Sequence, residues 1–215
     1  MGANRRRFFQ QIIISITGLG LFNTKLLAKD NNQSPQVKSD DILKVIKERR
    51  SVRKFQSTPI PNDHLMQILE AANFAPTPRN RQAWKFLVIQ KREIIDQIKE
   101  ECIKRAGEDS KEYYTNYLSA PVYVEVLAYT ETRNPVNDMT AAALAAENLM
   151  LAARAFGYGT VFCVNSIPEE ITKNILNIPD DYKRICITPI GIPEEWPETP
   201  EKKETKEVVL YDKFE

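Results

Sequence analysis

Residues 137–156, NDMTAAALAAENLMLAARAF, constrain the fold of this 215-residue chain more than any other stretch. The segment is rich in alanine and nearly free of large polar side chains, so it predicts a long helix buried on most of its sides. Such a helix needs neighbours on more than one face, and the rest of the chain must build layers around it. The length suffices for one domain with a substantial core. Gly157-Tyr158-Gly159 ends the helix.

The other elements read outward from it. Asp40 or Asp41 can cap a helix with an apolar face of Ile42, Val45 and Ile46. QSTPIP interrupts the chain, and Asn62 can cap a second helix that carries Leu65, Ile68, Leu69 and Ala72. APTPRNRQA at 75–83 is a loop containing two prolines. WKFLVIQ at 84–90 reads as a strand, and 92–106 as a helix bearing Ile94, Ile95, Ile98 and Cys102. Residues 108–119 are aromatic and polar without a clear period. PVYVEVLAY at 121–129 and RICITPIGI at 184–192 are strands, and TVFCV reads as a short strand between them. Ser166-x-x-Glu169 has the form of a capping box for a helix through Leu176. From Pro193 onward the chain is rich in proline, glutamate and lysine, and reads as extended until EVVLYDKF. Strands separated by helices of unequal length give an α+β domain and no repeating βαβ unit.

Composition narrows the chemistry. Lysine plus arginine number 30 against 29 aspartates and glutamates, a net charge of +1 that offers no global basic field for nucleic acid. Cys102, Cys163 and Cys186 are isolated, with no CxxC pair, which argues against a disulfide framework and a zinc site. Cys163 and Cys186 sit in apolar runs and read as small buried hydrophobes. His64 is the single histidine, so a catalytic triad and a paired-histidine metal site are both excluded. There is no Gly-x-Gly-x-x-Gly after a strand, no phosphate-binding Gly-Lys-Ser/Thr loop and no nucleophile elbow. No catalytic side chain and no metal ligand is assigned. An enzyme made from this chain takes its chemistry from a bound cofactor.

The first residues carry a separate message. NRRRFFQQIIISITGLGLFN places cations before an apolar run that is too short for a membrane span. Asn4-Arg5-Arg6-Arg7-Phe8-Phe9 resembles a twin-arginine export signal, and the modest hydrophobicity that follows suits that route. Residues 1–28 are expected to be the signal and 29–39 a polar linker, with the domain at 40–215. Cleavage after Ala28 would remove four cations and no acids, moving the charge from +1 to −3. Leu26 makes the cleavage chemistry poor, so an uncleaved anchor stays open. The protein is expected on the outer face of the membrane or in the periplasm. Membrane contact is expected only through this segment, and a cytoplasmic location holds if the segment is merely a basic amphipathic start.

Three clusters are hard to explain by packing alone. Arg49, Arg50, Ser51 and Arg53, in RRSVRKF, can offer a phosphate three guanidiniums and a hydroxyl. Cations at a helix C-terminus, favoured by the macrodipole, are the competing explanation. Asn80-Arg81-Gln82 puts two side-chain amides on a rigid loop, and amides both donate and accept, which suits the edge of a heterocycle. Lys202 and Lys203 form a second cation pair far along the chain.

RRSVRKF, ILEAANFAPTPRNRQAWKFLVI, AALAAENLMLAARAFGYGTVF and PIGIPEE…KKETKEVVLY, in that order, resemble the FMN-dependent nitroreductase family over roughly residues 42–212. The resemblance implies an α+β fold with a central, mainly antiparallel sheet flanked by helices. It also implies a homodimer with exchanged C-terminal tails and FMN bound at the subunit interface. The flavin of such proteins passes hydride from NAD(P)H to nitroaromatics, quinones or similar small acceptors. On this resemblance Arg49, Ser51 and Arg53, with Arg50 beside them, fall where FMN phosphate and ribityl oxygens bind. Pro76, Thr77, Pro78 and Asn80 fall on the loop that reaches the flavin of the other subunit, and Gln82 lies just beyond. Lys202 and Lys203 fall near the basic pair that completes the phosphate site, and backbone amides in 161–166 face the flavin ring.

Some positions depart from the family pattern. Ala83 stands where proline is usual, Pro78-Arg79 replaces two small residues, and lysines replace arginines in the tail. The segment between 107 and 137 is short, so a helical lid is expected to be reduced. Outside the cytoplasm the electron donor is expected to be a redox partner instead of NAD(P)H. A non-catalytic flavin- or partner-binding member of the same fold, and an anion- or nucleic-acid-binding module, are the alternatives; near-neutral charge weighs against the last.

Overall fold

The computed structural model describes residues 38–214. The expected export signal and all but the end of the expected linker lie outside the described residues. Three strands, β1 (Trp84–Ile89), β2 (Val122–Tyr129) and β3 (Tyr182–Ile190), form one antiparallel sheet in that order. β2 is central, and its alternation sends side chains to two different cores. Val122, Val124, Val126 and Ala128 join the buried residues of α2 (Asn62–Asn73) and α5 (Pro135–Ala155). Tyr123 faces the other way, with Ile187, toward α3 (Arg92–Ala106), α4 (Lys111–Tyr117) and α6 (Glu169–Leu176). The sheet is therefore covered on both faces, and the domain is α+β as expected.

The alanine-rich helix does what its composition demands. Ala141, Ala142, Ala145, Ala146 and Ala153 of α5 are buried, and side chains this small let the helix lie close to both α2 and the sheet. Burial on most sides holds, apart from a stripe where Val136, Thr140 and Leu144 are exposed. α1 (Ser39–Glu48) differs from expectation: it buries none of its residues, and Ile42, Leu43 and Ile46 are each about half exposed. Met66 on α2 and Phe74, its C-cap, are exposed as well.

Helix ends depart from the sequence reading for local reasons. Lys38 takes the N-cap position of α1, leaving Asp40 and Asp41 in the first turn, where the helix dipole favours their charge. Pro61 and Pro168 sit at the N-caps of α2 and α6, so Asn62 and Glu169 become first helical residues. The Ser166–Glu169 capping box does not form. Glu169 instead accepts hydrogen bonds from Lys183 Nζ at 2.5 Å and from the Arg184 amide at 3.1 Å. TVFCV is not a strand: it makes single bridges, Thr160 to Ser51 and Cys163 to Ile187. Residues 194–214 are exposed throughout, and the expected extended tail contains one short helix, α7 (Thr205–Val208), closed by a Glu204–Glu207 capping box. Among the described residues no helix is long and apolar enough to cross a membrane.

Candidate functional site

The cation cluster begins where α1 stops. Arg49 is the C-cap, its amide donating to Val45 O at 3.0 Å, and the chain then leaves the helix. Ser51 pairs with Thr160 in a parallel bridge, and the Val52 amide donates to Thr160 O at 2.9 Å. Gly159 makes this approach possible, because a Cβ there would meet Val52 at 2.6 Å and Pro193 at 2.9 Å. Gly159 and Thr160 thus lie directly against the cluster.

The four cations have different partners. Arg50 donates to Lys47 O at 2.7 Å and Arg49 O at 2.8 Å, so it satisfies carbonyls at the end of α1, and its other nitrogen reaches Thr199 Oγ1. The helix-end explanation holds for this arginine. Arg49 faces Glu147 of α5, with Nε 3.4 Å from the carboxylate yet buried and without a hydrogen-bond partner. Arg53 is exposed and makes one contact, 3.2 Å to Ser51 O, and Lys54 is exposed too. Thr160 Oγ1, beside Ser51, is also buried without a partner. The unpartnered buried Thr160 hydroxyl, with Ser51, the Arg49 guanidinium and the exposed Arg53, forms a donor set that fits a phosphate.

The second cluster is built differently. Pro78–Asn80 form a 3-10 turn, and Arg79, Asn80 and Gln82 all have left-handed backbone, with φ of 54°, 55° and 50°. Thr77 Oγ1 accepts from the Gln82 amide at 3.2 Å, and Gln82 Nε2 donates to Asn80 O at 3.3 Å. Pro76 lies just before, exposed. Trp84 is buried and its indole N–H donates to Asn73 Oδ1 at 3.1 Å, tying the end of the loop to α2. Arg81 donates from Nε and Nη2 to Asp138 Oδ1 at 3.2 and 2.7 Å, and Thr132 Oγ1 donates to Asp138 Oδ2 at 2.6 Å. Burial pushes the Asp138 carboxyl up, but the Thr132 and Arg81 hydrogen bonds outweigh it and hold the group below the usual carboxylate range.

Arg49, Arg50, Ser51 and Arg53 are brought together; the loop is not brought to them. Asp138 anchors the loop in the first turn of α5, while Arg154, near its other end, donates to Glu48 at 2.7 Å. The helix rise from Asp138 is about 14 Å to Glu147, which Arg49 of the cluster faces, and about 24 Å to Arg154. Lys202 and Lys203 lie on the exposed tail, whose root is held by the Arg50–Thr199 contact and by Arg154 stacked 4.4 Å over the Trp196 ring.

Sequence reasoning missed a buried pair behind the 161–166 segment. Glu125 and Arg184 lie 3.3 Å apart in the second core, and Thr172 Oγ1 donates to the same carboxylate oxygen at 2.7 Å. Arg184 also donates to Val164 O at 3.1 Å and Ile167 O at 2.6 Å, so it fixes the 164–167 backbone. Burial, with Oε2 left unpartnered, pushes the Glu125 carboxyl up. Its signal was visible as the lone acid inside PVYVEVLAY. Burial likewise pushes the Cys102 and Cys186 thiols up, to about 11 and about 12, which makes them poor nucleophiles. The single histidine, His64, shares a hydrogen bond of 2.8 Å with Tyr158 Oη.

Known proteins resemble this chain. A Methanothermobacter thermautotrophicus protein, provisionally named NADH dehydrogenase/NAD(P)H nitroreductase, is 28% identical over 168 residues, covering 76% of this chain and 83% of that protein. The iodotyrosine deiodinase of Thermotoga neapolitana is 26% identical over 187 residues, covering 78% of this chain and 96% of the relative. The crystal structure of a nitroreductase with bound FMN from Desulfitobacterium hafniense has the same fold, with a TM-score of 0.66 at 23% identity, covering 83% of this chain and 100% of that one. The nitroreductase family pattern runs through residues 46–192, taking in the cation cluster, the strained loop and all three strands, and the chain belongs to that family.

Proposed function

We propose that this chain is an FMN-dependent oxidoreductase that works as a homodimer, with NAD(P)H or another redox partner as donor and a small molecule such as a nitroaromatic or quinone as acceptor. The observation that carries the reading is the buried Thr160 hydroxyl, left without a partner beside Ser51 and the arginine cluster, in a member of this family. Arg49, Ser51 and Arg53 would hold the FMN phosphate, with Lys202 and Lys203 adding charge from the tail. When bound, FMN supplies the two-electron chemistry that this chain's own side chains lack. The protein's share is to bind, orient and exclude water. Relatives named for NAD(P)H-dependent activity and solved neighbours holding FMN support the assignment.

The separation along α5 supports a dimer. Loop 76–82 and the cation cluster lie toward opposite ends of that helix, so a two-fold axis across it would set the loop of one copy at the cluster of the other. Val136 and Leu144 on the exposed α5 stripe, with Ile42 and Ile46 of α1, give such an axis an apolar surface to bury.

The purified protein should be yellow, and FMN added to its apo form should lose fluorescence on binding. Reduction should bleach the bound flavin, and a quinone or nitroaromatic should restore its colour. A colourless protein without affinity for FMN would overturn the reading. A flavin that bleaches but passes no electrons to any acceptor would instead identify a non-catalytic flavin-binding member of the fold.

A further inference from the structure

Five described non-glycine residues have positive φ, and three of them, Arg79, Asn80 and Gln82, fall within four positions. Left-handed backbone is disfavoured for side-chain-bearing residues and persists only where surroundings over-determine it. The hydrogen bonds inside the loop, from Asn80 N to Thr77 O and from Gln82 N to Thr77 Oγ1, move with the loop and cannot hold it against the domain. The loop's far end is tied down where the Tyr129 amide donates to Ala83 O at 2.9 Å and Trp84 bonds Asn73; within the strained stretch itself, Arg81 has ordinary right-handed backbone, and its guanidinium is the side chain that reaches the domain. Its partner is well placed to hold it. The Asp138 side chain is completely buried, Thr132 occupies its second oxygen, and it sits in the first turn of a long helix.

We propose that Asp138, acting through Arg81, is the positioning residue that keeps loop 76–82 in its strained shape, and that this shape presents Asn80 and Gln82 to the cofactor and substrate of the partner subunit. The second half rests on the FMN-dimer reading above. A loop held in its bound conformation in advance loses less freedom when a ligand arrives. The pair therefore acts on affinity at a distance, touching neither ligand.

The test uses Arg81→Met, Arg81→Lys, Asp138→Asn and the Met/Asn double variant of the full chain, with folding verified by circular dichroism. Arg81→Met guards against a misfolded Asp138 variant, because Asp138 keeps Thr132. Two readouts separate the latch from its consequence. Trypsin cleavage after Arg79, without FMN, should accelerate severalfold in Arg81→Met and Asp138→Asn. FMN dissociation constants, from fluorescence quenching of the apo forms, should rise about tenfold in each single variant and little further in the double. Arg81→Lys should recover part of both effects. Unchanged cleavage overturns the latch. Faster cleavage with FMN affinity within twofold of wild type overturns its role toward the cofactor. Wild-type protein with no FMN affinity overturns the oxidoreductase reading, while the cleavage rates still decide the latch.

Discussion

Arg50 and Arg53 stand three positions apart, and their partners give opposite expectations. Arg50 satisfies the Lys47 and Arg49 carbonyls and reaches Thr199, so Arg50→Ala should lower stability by about 1 kcal/mol in urea denaturation. Arg53 is exposed, with one backbone contact, and its loss should barely move that transition. FMN affinity should reverse the order. Arg53→Ala should cost about 1.5–3 kcal/mol of binding, roughly one to two orders of magnitude in dissociation constant. Arg53→Glu should be worse, since it adds repulsion; equal affinities across these variants would make the cluster purely structural. Asp138 allows a separate test with acid. Its folded carboxyl lies below the unfolded value, so its contribution to stability is present above about pH 4 and lost as pH falls through the folded value. The gap in urea midpoint between wild type and Asp138→Asn should therefore be wide at pH 7 and narrow at pH 3. A gap of constant width would show that the charge contributes nothing.

Among the elements, the most legible were those whose period and composition agree. α3 runs from Arg92 to Ala106, the span its isoleucine spacing indicated, and α5 begins only two residues before the alanine-rich stretch, where Asn134 caps it and Pro135 starts it. TVFCV was misread because β-branched composition reports burial as well as pairing. Thr160, Val161 and Cys163 are buried, but the segment crosses between two neighbours and is held by single bridges and by Arg184. The loop and the cations were legible as unusual chemistry; Glu125 stood out only as a lone acid in an apolar run, and neither its pairing with Arg184 nor the burial of Asp138 was legible, because both depend on partners distant in sequence. The Glu125–Arg184 pair gives a test at this scale. Arg184→Met leaves a buried carboxylate unpaired and should cost about 3–5 kcal/mol in chemical denaturation. Replacing Glu125 as well, by Met, should recover part of that loss, because two apolar groups leave no charge stranded. A double variant less stable than Arg184→Met alone would show that the carboxylate, and not the pairing, matters to the sheet.

For the whole molecule, the tail and the amino terminus carry the open questions. Val208, Leu210, Tyr211 and Phe214 are exposed, more apolar surface than a solvated tail needs. Removing residues 205–215 should lower both dimer content and flavin occupancy, measured by sedimentation with absorbance detection; a truncated protein that stays dimeric and fully yellow would sink the exchanged-tail proposal. We also propose export by the twin-arginine route, and replacing Arg5 and Arg6 by lysine should leave the protein in the cytoplasmic fraction. Normal fractionation of that variant would count against it. The fastening at Trp196 and Thr199 has a kinetic consequence. Beyond Thr199 the chain to Phe214 is a tether that can reach at most about 50 Å, held at one end to the body of its own subunit. On the proposed dimer, a tail that lifts away stays at high effective concentration near the partner subunit and settles back before the subunits drift apart. Two such tethers must release together for partners to be exchanged, so mixed dimers of tagged and untagged chains should form slowly, and cutting one tether should speed the exchange.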